Sequence, residues 1–223
     1  MYWILFGAIA ILSYIVQANL QRKFSKFSKI RIGSGMTGAE VAARMLADHG
    51  IHNVKITHIP GELTDNFNPQ TMTLNLSDSV YGSCSVAAAA VAAHECGHAV
   101  QHAEGYGPLR LRSAMVPAVS FASRAVTWVL LAGMLLLNIF PGIMAFGIAL
   151  FGLTALFSIV TLPVEVNASR RATEWLNGAG ITDYSNHEYA CQALHSAAYT
   201  YVVAALSAIG TLVYYLLIFT NRR

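Results

Sequence analysis

The sequence predicts a mainly α membrane protein, with about four transmembrane helices and a small α+β region beside them. Composition supports this fold class, because 55% of the 223 residues are hydrophobic and only 11% are charged. The mean hydropathy is +0.50, which is high for a soluble domain. Four apolar segments are also long enough to cross a bilayer, which takes about 20 residues each.

These apolar segments divide the chain into predicted membrane and cytoplasmic parts. The predicted transmembrane segments are 1–20, 117–140, 142–162 and 199–219, and the predicted cytoplasmic segments are 21–116 and 163–198. The first segment has neither a basic residue before its apolar run nor an obvious small-residue cleavage site. Both features favour a retained transmembrane anchor over a cleaved signal peptide.

The basic residues predict the orientation of the chain. Nine lysines and arginines lie in segment 21–116 and two lie in segment 163–198, whereas the turn at Pro141 has none. Because basic residues favour the cytoplasmic side, we expect the N-terminus and the Pro141 turn outside and both charged segments inside. Arg222 and Arg223 oppose this arrangement, since they follow the last span.

The run HECGH, from His94 to His98, predicts a metal site. If the run shares a helix with the preceding VAAAAVAA, its two histidines lie on one face, at the spacing that lets two imidazoles bind one Zn²⁺. Glu95 then lies about 100° round the helix from His94, where a carboxylate can act as general base towards a water. On the motif alone, a solvated helix is the alternative. The pattern predicts a small zincin-like catalytic region.

The residues before this motif predict a small α+β unit. Residues 36–49 are expected to form a helix capped by Thr37, with Glu40 completing a capping box. Segments 53–59 and 71–76 alternate between apolar and polar residues, as half-buried strands do, and are expected to pair as a hairpin. The hairpin either offers segment 71–76 as an edge for an extended peptide or only covers the zinc helix.

A catalytic zinc site needs a third protein ligand, for which Glu165 is the predicted residue. Two predicted membrane crossings separate it from His98, so both residues lie on the same side. An interfacial carboxylate paired with Arg170 or Arg171 is an equal alternative at this point. His102 competes as a ligand because it lies one turn beyond His98. Three histidines on one straight helix, however, would span about 12 Å, which a tetrahedral ion does not easily bridge.

Three segments together resemble the bacterial neutral zinc metallopeptidases of the YugP type, and the resemblance covers nearly the whole chain. They are residues 60–102, which end in HECGHAVQH, residues 162–172, LPVEVNASRRA, and residues 200–206, TYVVAAL. The resemblance implies that His94, His98 and Glu165 are zinc ligands. It also implies that Glu95 is the catalytic base, as in the gluzincin peptidases.

The resemblance leaves the residues around the zinc open. The related HtpX-like membrane peptidases place an aspartate four residues after the metal-binding glutamate to orient a zinc histidine. This chain has Ser169 there, whose hydroxyl can accept an imidazole N–H bond without a full charge, and Asn167 can share that role. Tyr201, His195 and Arg171 are candidate donors to the oxyanion. Tyr201 is preferred because it lies in TYVVAAL, although an aromatic residue at a membrane interface is the equal alternative.

The sequence therefore predicts an integral membrane zinc-dependent endopeptidase of the bacterial plasma membrane, with a cytoplasmic active site and peptide or protein substrates. One alternative is a site-2-type intramembrane protease, but the apolar run before His94 is only about ten residues long, too short to span a bilayer. Another is a non-enzymatic zinc-binding membrane scaffold or transporter, which would not need Glu95. The basic segment 22–31 indicates affinity for anionic lipid and does not indicate nucleic-acid binding.

Overall fold

The computed structural model describes residues 2–221, with side chains from residue 6 onward. This part of the chain is mainly helical and carries one small three-stranded sheet, as the composition predicts. Its elements are α1 (Tyr2–Phe27), α2 (Gly38–Asp48), β1 (Lys55–Ile59), β2 (Asn66–Asn68), β3 (Thr73–Ser77), α3 (Asp78–Tyr81), α4 (Val86–Ala103), α5 (Gly107–Leu135), α6 (Pro141–Gly178) and α7 (His187–Thr220).

Three helices of the described part, α5, α6 and α7, are long and apolar enough to cross a membrane. Helices α6 and α7 contain the third and fourth predicted spans, whereas α5 covers the second only as far as Leu135, because the chain turns before Pro141 instead of at it. Helix α5 begins at Gly107 rather than at 117, α6 continues past 162 to Gly178, and α7 begins at His187 rather than at 199. Hydropathy marks the apolar part of a helix, whereas the helix itself continues into polar sequence. These polar extensions carry several residues of the candidate site.

Helix α1 covers the predicted anchor and packs along α7, where the rings of Phe6 and Tyr214 meet edge to face at 4.9 Å. Met1 and the side chains of residues 2–5 lie outside the described part, so a fourth span stays a prediction. Arg222 and Arg223, which oppose the predicted orientation, also lie outside the described residues.

The sheet has the order β1–β3–β2, with β1 parallel and β2 antiparallel to β3. The predicted hairpin of segments 53–59 and 71–76 is therefore wrong: both strands form, but they run in parallel. The reason lies in the connection between the two strands, which contains β2. A parallel pair needs a long crossover, whereas β2 joins β3 through a short turn and takes the antiparallel position. Strand β3 is central, so it has no free edge.

Helix α4 lies at the centre of the hydrophobic core. Nearly all its residues from Val86 to Gln101 are buried, and α2, α6 and α7 pack around it. Helix α2 has the predicted capping box, because the Thr37 hydroxyl accepts from the Glu40 N–H and the Glu40 carboxylate accepts from the Thr37 N–H. The alanine-rich first half of α4 lets these helices approach closely, since its side chains add little bulk.

Candidate metal centre

The HECGH motif lies in α4, the helix that its spacing predicts. Helix α6 lies close against α4 at Gly97, where an added Cβ would lie 2.7 Å from the carbonyl oxygen of Ala168. A real Cβ does not come so near to a backbone oxygen. Glycine at this position therefore lets α6 lie close enough for its Glu165 to reach the two histidines.

His94, His98 and Glu165 form one group whose potential ligand atoms all lie within 4.8 Å of one another. Glu165 Oε2 lies 3.2 Å from His94 Nε2 and 3.6 Å from His98 Nε2. The two imidazole rings are nearly perpendicular, with centroids 4.8 Å apart. Glu165 is only 2% exposed and His98 only 8%. A carboxylate thus lies beside two imidazoles in a largely dehydrated position.

These residues fit a zinc ion. Zn²⁺ binds histidine nitrogen and carboxylate oxygen at about 2.0–2.2 Å, so ligand atoms around a tetrahedral ion lie about 3.3 Å apart. The two distances from Glu165 Oε2 to the histidine nitrogens, 3.2 and 3.6 Å, lie on either side of that value. Two nitrogens and one oxygen also make the three-ligand set that catalytic zinc sites use.

The other nitrogen of each ring has a hydrogen-bonding partner. Ser169 Oγ lies 3.1 Å from His94 Nδ1, the contact expected for the residue at that position. Gln101 Oε1 lies 3.1 Å from His98 Nδ1. The Gln101 amide nitrogen donates to the Val164 carbonyl at 2.8 Å, so its oxygen is left to accept from the ring. Both rings can therefore carry the proton on Nδ1 and present the Nε2 lone pair to a metal.

Asn167 supports the centre, but not by sharing the role of Ser169. Its Oδ1 accepts from the Gln101 amide at 3.0 Å and from Arg171 Nε at 2.8 Å. Arg171 also makes a bidentate pair with Glu104, at 2.9 and 2.6 Å. This chain of contacts ties α6 to the end of α4 beside His98. It also engages Arg171, which was a candidate oxyanion donor.

A cleft of about 340 Å³ opens beside the triad. Residues 65–70, which include β2, line it together with Glu95 and His98 of α4. The Glu95 carboxylate accepts from the Phe67 N–H at 3.0 Å, so the main chain of β2 holds the predicted base. Sequence reasoning missed β2, because its three residues lie within a run of turn-forming residues.

The remaining predicted residues divide between the cleft and its surroundings. Tyr201 lines the cleft and its side chain interacts with Glu165. His195 is exposed and is not among the lining residues. His102 lines an adjoining cavity and contacts the Phe67 ring, outside the triad. Arg112 lines the cleft but was not predicted, because its sequence position looks like that of any basic residue before a membrane span.

Helices of membrane-spanning length, and two histidines and a glutamate that could hold a metal beside a cleft, point to a membrane zinc peptidase as the class of protein. The sequence matches, over residues 2–220, the family described as "Putative neutral zinc metallopeptidase", and the chain belongs to this family. It is 40% identical over 212 residues to the "Putative membrane protease YugP" of Bacillus subtilis (strain 168), covering 95% of this chain and 93% of that protein. No solved structure matches the chain.

Proposed function

We propose that this family member is an integral membrane endopeptidase of the gluzincin type, with His94, His98 and Glu165 as the zinc ligands and Glu95 as the general base. The convergence of the three ligand atoms within 4.8 Å carries the proposal. It is supported by partners at both Nδ1 atoms, which orient the rings for binding through Nε2. Zinc is the metal of this family, and these three residues would bind it.

The protein's own residues account for the rest of the chemistry. Bound zinc would polarise the scissile carbonyl and lower the pKa of a water. Glu95 removes a proton from the attacking water and gives it to the leaving amine. The Phe67 N–H fixes the Glu95 carboxylate at the cleft, so little reorientation of the base is needed. Residues 65–70 form the wall along which an extended peptide lies.

The geometry favours this function over the two alternatives. A site-2-type protease has its zinc helix within the bilayer, whereas α4 is 18 residues long and packs inside the protein core. A scaffold or transporter does not need a carboxylate that lines a cleft beside the metal without binding the metal. Glu95 lines such a cleft and is not part of the three-residue ligand group.

The length of α6 supports a position for the centre near the membrane surface. The helix has 38 residues and is therefore about 57 Å long, against about 30 Å for the hydrocarbon core. Glu165 follows Pro141 by 24 residues, or about 36 Å along the helix axis. If Pro141 lies at the outer interface, Glu165 comes just past the inner one. We therefore infer a cytoplasmic cleft near the headgroups, with membrane proteins or unfolded segments as substrates.

Metal and activity measurements on the full-length protein in detergent test the assignment. Purified wild type should carry about one zinc per chain. Glu95→Gln should keep its zinc and lose activity on fluorescently labelled casein by about 10²–10⁴-fold. Glu62→Gln, in an exposed loop, is the matched control and should keep both. Full activity in Glu95→Gln would refute the general-base role.

The third ligand has its own test. Glu165→Ala should lose zinc, whereas His102→Ala should retain it. Retention in the first variant with loss in the second would assign the third ligand to His102. Comparing membranes that contain wild type or Glu95→Gln by proteomics should then identify the substrates, because the inactive variant leaves them uncleaved.

The proposed membrane location predicts which substrates are cleaved fastest. One unfolded sequence should be cut faster when fused to a transmembrane anchor than when free, in the same liposomes, because the anchor keeps it beside the cleft. Equal rates over a range of concentrations would indicate a general peptidase whose membrane location does not select its substrates.

A further inference from the structure

Arg112 has hydrogen-bonding capacity that the protein does not use. The residue extends from α5 and lines the cleft together with Glu95 and His98. Its Nη2 lies 3.9 Å from Glu165 Oε1, which is too far for a hydrogen bond. Its Nε is buried and has no hydrogen-bond partner among the described residues. The Arg112 guanidinium therefore forms no hydrogen bond with the described residues, and its donors are available to an acceptor that enters the cleft.

The other candidate donors are uncharged, engaged or located elsewhere. Tyr201 lines the same cleft, but its hydroxyl is a neutral donor, whereas the Arg112 guanidinium carries a full positive charge. Arg171 is paired with Glu104. His195 is exposed and does not line the cleft. Of the four residues, Arg112 alone offers an unpaired N–H at the centre.

Two kinds of oxygen on a peptide could accept from Arg112: the carbonyl of the scissile bond, or a carboxylate at the end of the substrate. The cleft does not end at Arg112. An adjoining cavity of about 350 Å³ shares Gln70, Leu109 and Ser113 with it and continues to His102. A terminal carboxylate at Arg112 would leave this extension empty. The Arg112 guanidinium also lies close to Glu165, a member of the triad. This position favours the carbonyl of the scissile bond over a terminal carboxylate as its acceptor.

We propose that Arg112 is a catalytic residue that donates a guanidinium N–H to the carbonyl oxygen of the scissile bond as negative charge develops there. This role rests on the proposed peptidase function. As the water oxygen bonds to the carbonyl carbon, the C=O π electrons move onto the oxygen that Arg112 binds, and the water proton goes to Glu95. When the C–N bond breaks, the electrons return to the carbonyl and Glu95 protonates the amine. Arg112 keeps its proton throughout, because a guanidinium is not deprotonated in proteins.

The test separates transition-state stabilisation from binding and from metal retention. Arg112→Gln should lower kcat on labelled casein by about 10²–10³-fold, with KM changed by less than about threefold and zinc content unchanged. Arg112→Lys should recover part of kcat, since an ammonium restores the charge but not the planar donor geometry. Arg170→Gln removes an equally charged, exposed residue of α6 and should match wild type.

A binding measurement keeps the proposal testable without turnover. Two blocked peptides of one sequence, taken from a mapped casein cleavage site, differ only in a tetrahedral phosphinate that replaces the scissile amide. Arg112→Gln should weaken the phosphinate about as much as it lowers kcat, while the amide peptide, measured in a Glu95→Gln background, should bind unchanged.

The outcomes are distinguishable. Unchanged kcat, a loss confined to KM, or loss of zinc in Arg112→Gln would each overturn the catalytic role. Wild-type protein that cleaves neither casein nor any mapped peptide would instead refute the proposed function.

Discussion

Gly97→Ala should disable the metal centre without touching a ligand. The added Cβ would lie 2.7 Å from the Ala168 carbonyl oxygen, whereas ordinary contact begins at 3.4 Å. Helices α4 and α6 must therefore separate by about 0.7 Å, the difference between these two distances. Metal sites tolerate ligand displacements of about 0.2 Å. Since His94 and His98 lie on α4 and Glu165 on α6, the separation acts directly on the ligand set.

The expected effects have two parts. Zinc affinity should fall by at least the 10–100-fold that weaker disturbances around a ligand cause. Stability should fall by about 1–3 kcal/mol from overpacking, which exceeds the gain of about 1 kcal/mol that alanine brings to a helix interior. Chelator competition measures the first quantity, and thermal unfolding in detergent measures the second.

Gly178→Ala is the matched control for this prediction. Gly178 lies at the end of α6, and nothing would lie within 4 Å of its added Cβ. This variant should bind zinc as wild type does. If Gly97→Ala showed the same affinity and stability as Gly178→Ala, the close approach of the two helices would not be what brings Glu165 to the histidines.

Further predictions concern the contacts around the centre and the topology. Ser169→Ala and Gln101→Leu should each weaken zinc binding about 10–100-fold in chelator competition, because each leaves one ring nitrogen unpaired. The arginine partner holds the pKa of Glu104 below its usual range. The Glu104–Arg171 pair therefore contributes stability above the ordinary carboxyl pKa and loses it as pH falls through the lowered value. The unfolding temperature of Glu104→Gln should lie below that of wild type at neutral pH and approach it only in acid. In a cysteine-free background, membrane-impermeant labelling of intact cells should reach a cysteine at Gly142 but not one at Gly105, and the reverse would invert the orientation.

Local patterns predicted the parts of the site that depend on local geometry. The i, i+4 spacing of His94 and His98 needs only that α4 be helical, and the capping box of Thr37 and Glu40 spans a single turn. For Glu165 the count of membrane crossings left an interfacial carboxylate as an equal alternative, and the family resemblance favoured a ligand; its carboxylate does lie with the two histidines in a group that could hold a metal. In each case the determining residues are close in sequence, or their relation depends only on whether the number of membrane crossings between them is even or odd.

Features that depend on pairing between distant segments were missed. The alternation of segments 53–59 and 71–76 predicted two strands but carried no information on their direction. Strand β2 has only three residues and no apolar alternation that periodicity could detect. The role proposed for Arg112 depends on packing between α5 and α6, which no spacing within α5 reveals. From its charge alone, Arg112 could not be distinguished from the other basic residues that predict the orientation of the chain in the membrane.

The correction of the sheet changes how a substrate can be held. With β3 in the centre, the free edge beside the cleft belongs to β2, in which only the middle residue directs its main chain away from β3. That residue is Phe67, and its N–H is already bonded to Glu95. Within the strand, one carbonyl remains for a substrate N–H. Strand addition alone is then too short to anchor a peptide, so the walls of the cleft and the membrane tether must supply most of the binding. We therefore expect the proposed protease to select substrates by their location and unfolded state more than by an extended sequence.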